Sequence, residues 1–503
     1  MALVAYGTYL PHRRLKRSEI GEVLGGGGGK GSRAVAGYDE DPTSMAVEAA
    51  RGALRSLGSG GPAVERVLYS TAGPPYLDKT NANIVHAALR LDLSALALDM
   101  AGSVRSGAGA LLIGAEAVVP TLVVLSDIRT GLPGSSDERD GGDGAAAFLF
   151  APAGPGLSGS GLSGSGLSGS GPSGSGPSGS GQVLTGIADL VAHASATEEF
   201  LDRWRLPGAP ASRVWEERFG EHAYLPLAEA AFSDALKQAG ITAADVDVLA
   251  VAGMHGRAVK AFAAGAGVRR VAEDLSSVVG NTGTAHPGLL LASVLDRATS
   301  GQTVALVVLA DGATAMIFRV SDGIESYRRT STVSQQVAAG DDSLRYADFL
   351  NWRGYLTKEP PRRPDPVAPA APPSLRSSRY KYGFVGHRCD ECGTVHLPAV
   401  RVCVECKAVD RMSEVPMADR LGTVVTFTID RLAFSPSPPV VAAVVDFDGG
   451  GRFSCELTEA DPATLAIGDR VEMTFRRTIT AGGVHNYFWK ARPVVTAKTG
   501  EGA

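Results

Sequence analysis

Residues 1–330 contain a divergent internal duplication, and this feature restricts the fold of the chain more than any other. A helical pattern at 44–58 is followed by a strand pattern at 63–72. The same order of patterns returns at 226–240 and 245–254, so both elements are offset by the same number of positions. This duplication predicts two similar α/β units packed as one domain.

The two copies also end alike. The first ends in the strand patterns TLVVLSD and DGAAAFLF, and the second in TVALVVLADG and DGATAMIF. Alternation of helices and strands is typical of α/β proteins. The sequence therefore predicts a duplicated α/β/α layered fold.

Four cysteines define a different kind of region near the C-terminus. Cys389, Cys392, Cys403 and Cys406 form two CxxC pairs separated by ten residues. Paired thiolates at this spacing enclose one structural Zn²⁺ tetrahedrally, which predicts a zinc ribbon. The fifth cysteine, Cys455, lies in a strand pattern and is predicted to be a buried apolar residue. Because residues 1–388 have no cysteine, any reaction there must proceed without a thiol nucleophile.

The remaining segments complete the predicted organisation. Residues 157–181 are pentapeptide repeats, LSGSG and PSGSG, which predict a flexible surface loop without a catalytic role. Proline-rich residues 357–379 predict an extended spacer, and 346–355 a short docking helix. Five β-branched and aromatic runs in 420–497 predict a small OB-like barrel. The predicted domains are the first α/β half (1–156), the repeat loop (157–181), the second half (182–330), the docking helix and linker (331–379), the zinc ribbon (380–415) and the barrel (416–503).

Net charge and hydropathy give no support for a nucleic-acid partner, a membrane span or a secretory leader. A formal net charge of −5 gives no reason to expect a nucleic acid as partner. No segment is long and apolar enough to predict a membrane span, and MALVAYGTYLPHRR predicts a strand and a proline turn instead of a secretory leader. Zinc-type cysteines favour a reducing compartment, so the expected location is the cytoplasm.

Three phrases carry a family resemblance: YDEDPTSMAVEAA at 38–50, LVVLSDIRTG, and GDGAAAFLF. Together with the duplication they resemble the thiolase superfamily, specifically its hydroxymethylglutaryl-CoA synthase branch. The C-terminal part resembles the zinc-ribbon/OB-fold module that accompanies such enzymes. The resemblance implies acyl-CoA substrates, with coenzyme A as part of the substrate, a homodimer, and room for a partner enzyme of acyl-CoA metabolism. It also leads us to expect the barrel over the CoA tunnel.

The resemblance assigns candidate catalytic residues. Ser103 falls where the family has its acyl-accepting cysteine, and Asn281 at the Gly-Asn motif of the second half. His255 matches the active-site histidine, and with Asn281 it would polarise a thioester carbonyl. The family's acidic residue is missing, and only Tyr76 and Asp78 are near its position.

Other candidates have two interpretations each. Ser103 is an acyl acceptor or a helix N-cap, and the N-cap preference of serine favours the second. Lys260 matches a CoA-binding lysine, whereas Lys30 and Arg33 flank a glycine run that contacts CoA phosphates or is only a surface turn. His286 is expected to support the site from behind the contacting residues or to be structural.

Three functions are compatible with the sequence. The first is a thiol-free acyl-CoA enzyme that makes or breaks a carbon–carbon bond by acyl condensation or aldol chemistry. The second is a synthase that uses Ser103 or direct transfer. The third is a non-catalytic acyl-CoA-binding scaffold, for which loss of the cysteine and the acidic residue is expected.

Overall fold

The computed structural model describes residues 1–154, 184–359, 361–362 and 366–494. The predicted repeat loop at 157–181 lies outside these residues. None of the helices within the described ranges has the length and apolarity needed to span a membrane.

The α/β part contains two series of elements. The first series is β1 (Ala2–Tyr9), β2 (Arg13–Lys16), α1 (Arg17–Leu24), β3 (Ser32–Val35), α2 (Pro42–Arg55), β4 (Arg66–Thr71), α3 (Ala82–Ala88), β5 (Leu96–Ala101), α4 (Arg105–Ala115), β6 (Thr121–Ile128), α5 (Ser136–Asp140) and β7 (Asp143–Ala151). The second is β8 (Ala188–Ala196), β9 (Arg203–Trp204), β10 (Arg213–Val214), α6 (Glu217–Ala239), β11 (Val248–Gly253), α7 (Gly256–Gly265), α8 (His286–Leu295), β12 (Thr303–Leu309) and β13 (Ala313–Val320).

The remaining elements follow the duplication. The connecting helices are α9 (Gly323–Ser326), α10 (Val333–Ala338), α11 (Tyr346–Trp352), α12 (Ala371–Arg376) and α13 (Ser378–Lys381). The ribbon strands are β14 (Val385–Cys389), β15 (Val395–His396) and β16 (Met412–Pro416). The barrel strands are β17 (Leu421–Asp430), β18 (Val440–Phe447), β19 (Arg452–Leu457), β20 (Arg470–Ala481) and β21 (Val484–Pro493).

The duplication is visible in one nine-stranded sheet, ordered β11-β12-β13-β8-β1-β7-β6-β4-β5. Read outward from the β8–β1 contact, β8-β13-β12-β11 mirrors β1-β7-β6-β4. In the first half, β7 pairs antiparallel with β6, and β4 pairs parallel with β6. In the second half, β13 pairs antiparallel with β12, and β11 pairs parallel with β12. The predicted duplicated α/β fold is confirmed.

Helices cover both faces of this sheet. α4 and α8 share one apolar cluster with side chains from both halves of the sheet, such as Leu3 and Leu306. α2 packs on the other face of the first half, and α6 and α7 on the other face of the second. The layers therefore bring the N-termini of α4 and α8, and the chain segments before them, toward the junction of the two halves.

Local sequence explains how α2 begins. The Asp41 carboxylate accepts a hydrogen bond from the Ser44 backbone N–H at 2.8 Å, and the Ser44 hydroxyl accepts one from Asp41 N at 2.9 Å. Pro42 occupies the first turn, where its missing N–H costs nothing. This capping box fixes α2, the helix on which the C-terminal barrel rests.

The linker differs from its prediction. Residues 357–379 were expected to be an extended spacer, but α12 lies within them and α13 begins near their end. Pro372 and Pro373 are in the first turn of α12, where proline is compatible with a helix. The predicted docking segment contains α11, in which the Tyr346 hydroxyl donates to Glu138 and Trp352 Nε1 donates to the Pro436 carbonyl at 3.1 Å.

The barrel is closed, with the order β17-β18-β19-β21-β20, and its five strands coincide with the five predicted runs. Its core contains Phe475, Tyr487 and Trp489. It packs against α2, where Arg51 donates to the carbonyls of Ala418 and Met473. The barrel is therefore a docked domain with a buried interface.

Candidate active site

A cavity of about 500 Å³ lies at the carboxyl end of β11. Its wall is formed by the end of β11, the start of α7, the glycine-rich loop after α1, and the segment before α8. Of the predicted site residues, Asn281, Lys260 and Lys30 line it together. Crevices at the carboxyl ends of parallel strands are common ligand sites in α/β proteins.

Asn281 is held rigidly in the wall. Its Nδ2 donates to the Gly253 carbonyl at 2.7 Å, and its Oδ1 accepts from the Gly283 N–H at 2.9 Å. Gly280, with φ of 82°, makes the left-handed turn that brings this segment against Gly141. One amide hydrogen of Asn281 is committed to Gly253, so the second is the one that can face a ligand.

His286 also lines this cavity, so it contacts the space for a ligand directly. It is the first residue of α8 and is only 4% exposed. Burial lowers the pKa of His286 to about 4, although the charge and backbone of Asp274 oppose part of this shift. The imidazole is therefore neutral near pH 7. An inward-facing helix start after a GNTG turn is the sequence signal that could have identified it.

The mouth of the cavity is cationic. Lys30 and Lys260 are exposed, and Arg17 and Arg139 line the same wall. Asp140 partly neutralises them, since Arg139 Nη2 lies 2.7 Å from its carboxylate and Arg17 Nη1 3.7 Å. These lysine and arginine side chains at the mouth would therefore attract a polyanionic group.

His255 does not line this cavity among the described residues, contrary to the expected pairing with Asn281. It is the N-cap of α7, and its Nδ1 accepts from the Ala258 N–H at 3.1 Å. Its Nε2 lies 2.7 Å from the Glu217 carbonyl, which can only accept, so Nε2 donates. Both ring nitrogens are therefore bonded to the backbone, as expected for a structural histidine.

The N-terminal turn of α6 covers His255. A Cβ on Gly220 would lie 2.5 Å from the imidazole Cδ2 and 2.7 Å from Asp202 Oδ1, so only glycine permits this approach. Burial raises the pKa of Asp202, and the neighbouring His255 opposes that change. This cover explains why the ring is buried.

Ser103 lies between β5 and α4, two residues before α4 begins, and is half-buried. It does not line the cavity in the part of the chain that the structure describes. The nearby Arg105 donates to the Asp311 carbonyl and, at 2.6 Å, to the Thr197 hydroxyl. Val104 occupies the N-cap position, so the serine is not the N-cap of α4 either.

Arg33 is not at the mouth of the cavity. It is fully buried, donates to the carbonyls of Glu138 and Arg129, and lies 3.3 Å from Asp143. A guanidinium so enclosed has no access to a CoA phosphate, so this part of the prediction is corrected. Arg33 lies in β3, where it and the two residues after it are all buried.

Tyr76 and Asp78, the two residues near the position of the family's acidic residue, are not among the described residues that line the cavity. The Tyr76 hydroxyl accepts from the His485 N–H of the barrel at 2.7 Å, and the two rings pack at 4.9 Å. Asp78 is exposed. Tyr76 therefore helps to dock the barrel.

The four predicted ligand cysteines converge. Their Sγ atoms all lie within 4.8 Å of one another, with Cys389 and Cys406 at 3.6 Å and Cys392 and Cys403 at 3.5 Å. These separations are far longer than a disulfide bond and are close to the edge of a tetrahedron with Zn–S bonds of about 2.3 Å. The site has the donor set of a structural zinc centre.

Comparisons with known proteins agree with this architecture. The family model of the ChsH2 C-terminal OB-fold domain matches residues 414–476. A DUF35 domain-containing scaffold protein of Methanocaldococcus jannaschii is 30% identical over 126 residues, which are 24% of this chain and 89% of that protein. Hydroxymethylglutaryl-CoA synthase of Archaeoglobus fulgidus is 27% identical over 368 residues, which are 69% of this chain and 96% of the enzyme.

A solved structure is similar in fold. MvaS in complex with 3-hydroxy-3-methylglutaryl coenzyme A superposes with a TM-score of 0.53 at 18% identity, covering 73% of this chain and 94% of that one. The duplicated sheet with α4 and α8 on its shared face is thus a thiolase fold. Over about 70% of its length the chain is similar to hydroxymethylglutaryl-CoA synthases, and its C-terminal part is a DUF35-type domain in the same chain.

Proposed function

We propose that this protein is an acyl-CoA enzyme that makes or breaks a carbon–carbon bond, by acyl condensation or by aldol and retro-aldol chemistry, without a cysteine nucleophile. The observation that carries the proposal is the cavity at the end of β11, where a cationic mouth leads to Asn281 and His286. Its position in a chain related to hydroxymethylglutaryl-CoA synthases over 69% of its length supports acyl-CoA as the substrate class.

The mouth would bind the phosphates of coenzyme A. Lys30 and Lys260 are exposed and approach from two different elements, the loop after α1 and helix α7. Lysine ammonium groups from two elements attract a diphosphate without requiring one fixed geometry. The thioester would then extend toward the buried inner wall.

At the inner wall, Asn281 would stabilise the thioester oxygen. Making or breaking the bond beside a thioester carbonyl places negative charge on that oxygen, and an amide N–H in a buried site stabilises such charge. Ser103 lies outside this cavity, which favours a reaction without a covalent acyl-enzyme. Acylation of Ser103 remains the alternative for a synthase.

The cysteine cluster would hold one structural Zn²⁺. Four thiolates leave no open coordination position, so the metal would stabilise the ribbon and take no part in the reaction. Retention of these thiols in reduced form fits the cytoplasm. The exposed edge of β5, which shows Leu96 and Leu98, would pair with a second copy to form a homodimer.

The proposal is tested by incubating the protein with acetyl-CoA, acetoacetyl-CoA and a panel of β-hydroxyacyl-CoAs, with mass spectrometry of both protein and solution. New or cleaved acyl-CoA without a protein adduct is the expected result. An acyl adduct on Ser103 would replace this mechanism with that of a serine-dependent synthase. Asn281→Leu should lower turnover, whereas Asn351→Leu on helix α11, a residue that does not line the cavity, serves as the matched control.

A scaffold is the second candidate function. It is favoured by the DUF35 domain-containing scaffold protein to which the C-terminal part is related. It is also favoured by the capped, buried imidazole of His255. Tight CoA binding without turnover on any of these substrates would support this candidate instead.

A further inference from the structure

The backbone of Asn281 is held by residues 138–143, the supporting segment, which joins the end of α5 to the start of β7. Asn281 N donates to the Asp140 carbonyl at 2.8 Å, and the Asn281 carbonyl accepts from the Gly142 N–H at 2.9 Å. Both backbone polar groups of Asn281 are therefore bonded to this segment. A shift of the supporting segment would move Asn281 with it.

Helix α11 contacts the supporting segment at both of its ends. The Tyr346 hydroxyl donates to Glu138 Oε2 at 3.0 Å, and the Arg353 guanidinium donates to the Asp143 carboxylate. Tyr346 is the first residue of α11 and Arg353 is its C-cap, seven positions later. Seven residues are about two turns, so both side chains project from the same face of the helix.

The contact from Tyr346 is buried and can be removed without changing charge or bulk. Tyr346 is 1% exposed, and Glu138 is fully buried. Among the described residues, the Glu138 carboxylate accepts from the Tyr346 hydroxyl and from the Gly134 N–H at 2.6 Å. Because a buried carboxylate that loses a donor is destabilised, phenylalanine at position 346 should loosen the Glu138 end of the supporting segment.

We propose that Tyr346 and Arg353 are positioning residues, which fix the supporting segment and through it hold Asn281 where its amide reaches the thioester oxygen. The inference rests on the proposed function of Asn281 and assigns two residues of α11 to it. Neither side chain is among the described residues that line the cavity, so both act through the segment. A donor to a developing oxyanion must be placed precisely, and a misplacement of about 1 Å can cost about 10²-fold in rate.

Kinetics of the full-length protein give the first test. Tyr346→Phe should lower kcat for the acyl-CoA substrate by about 10- to 100-fold. KM should change by less than about threefold, because Lys30 and Lys260 at the mouth lie on other elements. Tyr355→Phe is the matched control, since the Tyr355 hydroxyl contacts the Pro210 carbonyl at 3.4 Å, and it should leave kcat unchanged. Glu138→Gln keeps an acceptor oxygen for Tyr346 and should retain most of kcat.

Hydrogen exchange followed by mass spectrometry gives a second test that needs no activity. Tyr346→Phe should accelerate exchange of the Asn281 and Gly142 amides by about tenfold, whereas Tyr355→Phe should not. In the wild type in low urea, the Asn281 amide should exchange only when the amides of α11 do. This wild-type measurement decides the inference if a variant does not fold, because early exchange of Asn281 with α11 still protected would overturn it.

The remaining outcomes separate this inference from the proposed function. Unchanged exchange at Asn281 and Gly142 in Tyr346→Phe would refute the role of α11. Faster exchange with unchanged kcat would refute the positioning role and leave the proposed function standing. A wild type inactive on every acyl-CoA tested would remove the proposed function and with it the catalytic purpose of the positioning, while exchange would still decide whether α11 holds Asn281.

Discussion

The docking of the barrel on α2 depends on Arg51, and replacing it by methionine should weaken that interface strongly. Arg51 is 6% exposed and donates to the carbonyls of Ala418 and Met473 at 2.7 and 3.0 Å. It also pairs with Glu48 at 2.8 Å and packs over Trp489 at 4.8 Å. Methionine keeps the aliphatic stem but leaves these buried acceptors without their donor.

The expected loss of docking free energy follows from the buried Glu48 carboxylate and the backbone carbonyls that lose their donor. Removing one partner of a buried ion pair costs about 3–5 kcal/mol, because the other charge stays buried. The Glu48 carboxylate keeps one bond, from the Phe475 N–H at 2.9 Å, which limits the loss. We therefore expect Arg51→Met to cost about 3–4 kcal/mol of docking free energy.

The assay is pulse proteolysis of the linker in increasing urea, which reports release of the barrel from the α/β part. Arg55→Met is the matched control on the same helix, since its side chain is 40% exposed and its ion pairs are 4.0 and 3.9 Å long. It should cost only about 0–1 kcal/mol. Equal effects of the two substitutions, or a loss below about 1 kcal/mol for Arg51→Met, would refute the assigned role.

Further predictions concern zinc binding by the cysteine cluster, CoA binding at the mouth of the cavity, and the packing of Gly220 against His255. Metal analysis should find about one zinc per chain, lost on Cys389→Ser and retained on Cys455→Ser; zinc-free protein would refute the ribbon centre. Lys260→Glu should weaken CoA binding about tenfold in calorimetry, while Lys237→Glu on α6 should not, and equal affinities would exclude Lys260 from the mouth. Gly220→Ala should lower thermal stability by about 1–3 kcal/mol despite the helix preference of alanine, because its Cβ would lie 2.5 Å from the imidazole beneath it; a stabilised variant would contradict this packing.

The fold was largely predictable because its signals are periodic and local. The strands of the barrel were recognisable from β-branched and aromatic runs, and they pair as a closed barrel. The offset between the copies places β4 and β11 at equivalent positions of the sheet. The linker was not predictable from its proline content alone, because proline at the first turn of α12 permits a helix that proline further inside would break.

The site was less predictable because side-chain direction depends on tertiary packing. Lys30 and Arg33 are three residues apart, yet one is exposed at the mouth and the other is enclosed by Glu138 and Asp143. His255 has the position that the resemblance implies, but the start of α6 ties its ring to the backbone. No local pattern encodes that contact, since Glu217 is 38 positions away.

The barrel packs against the α/β part away from the residues that line the cavity. The described residues that line the cavity all precede residue 287, so no described residue of the barrel lines it. It meets the α/β part through α2 and through a buried network in which Arg476 lies 3.4 Å from Glu40, and Lys490 lies 3.0 Å from Asp39. Buried ion pairs add little net stability, but they penalise every orientation in which a charge loses its partner. The barrel is therefore held in one orientation beside the α/β part.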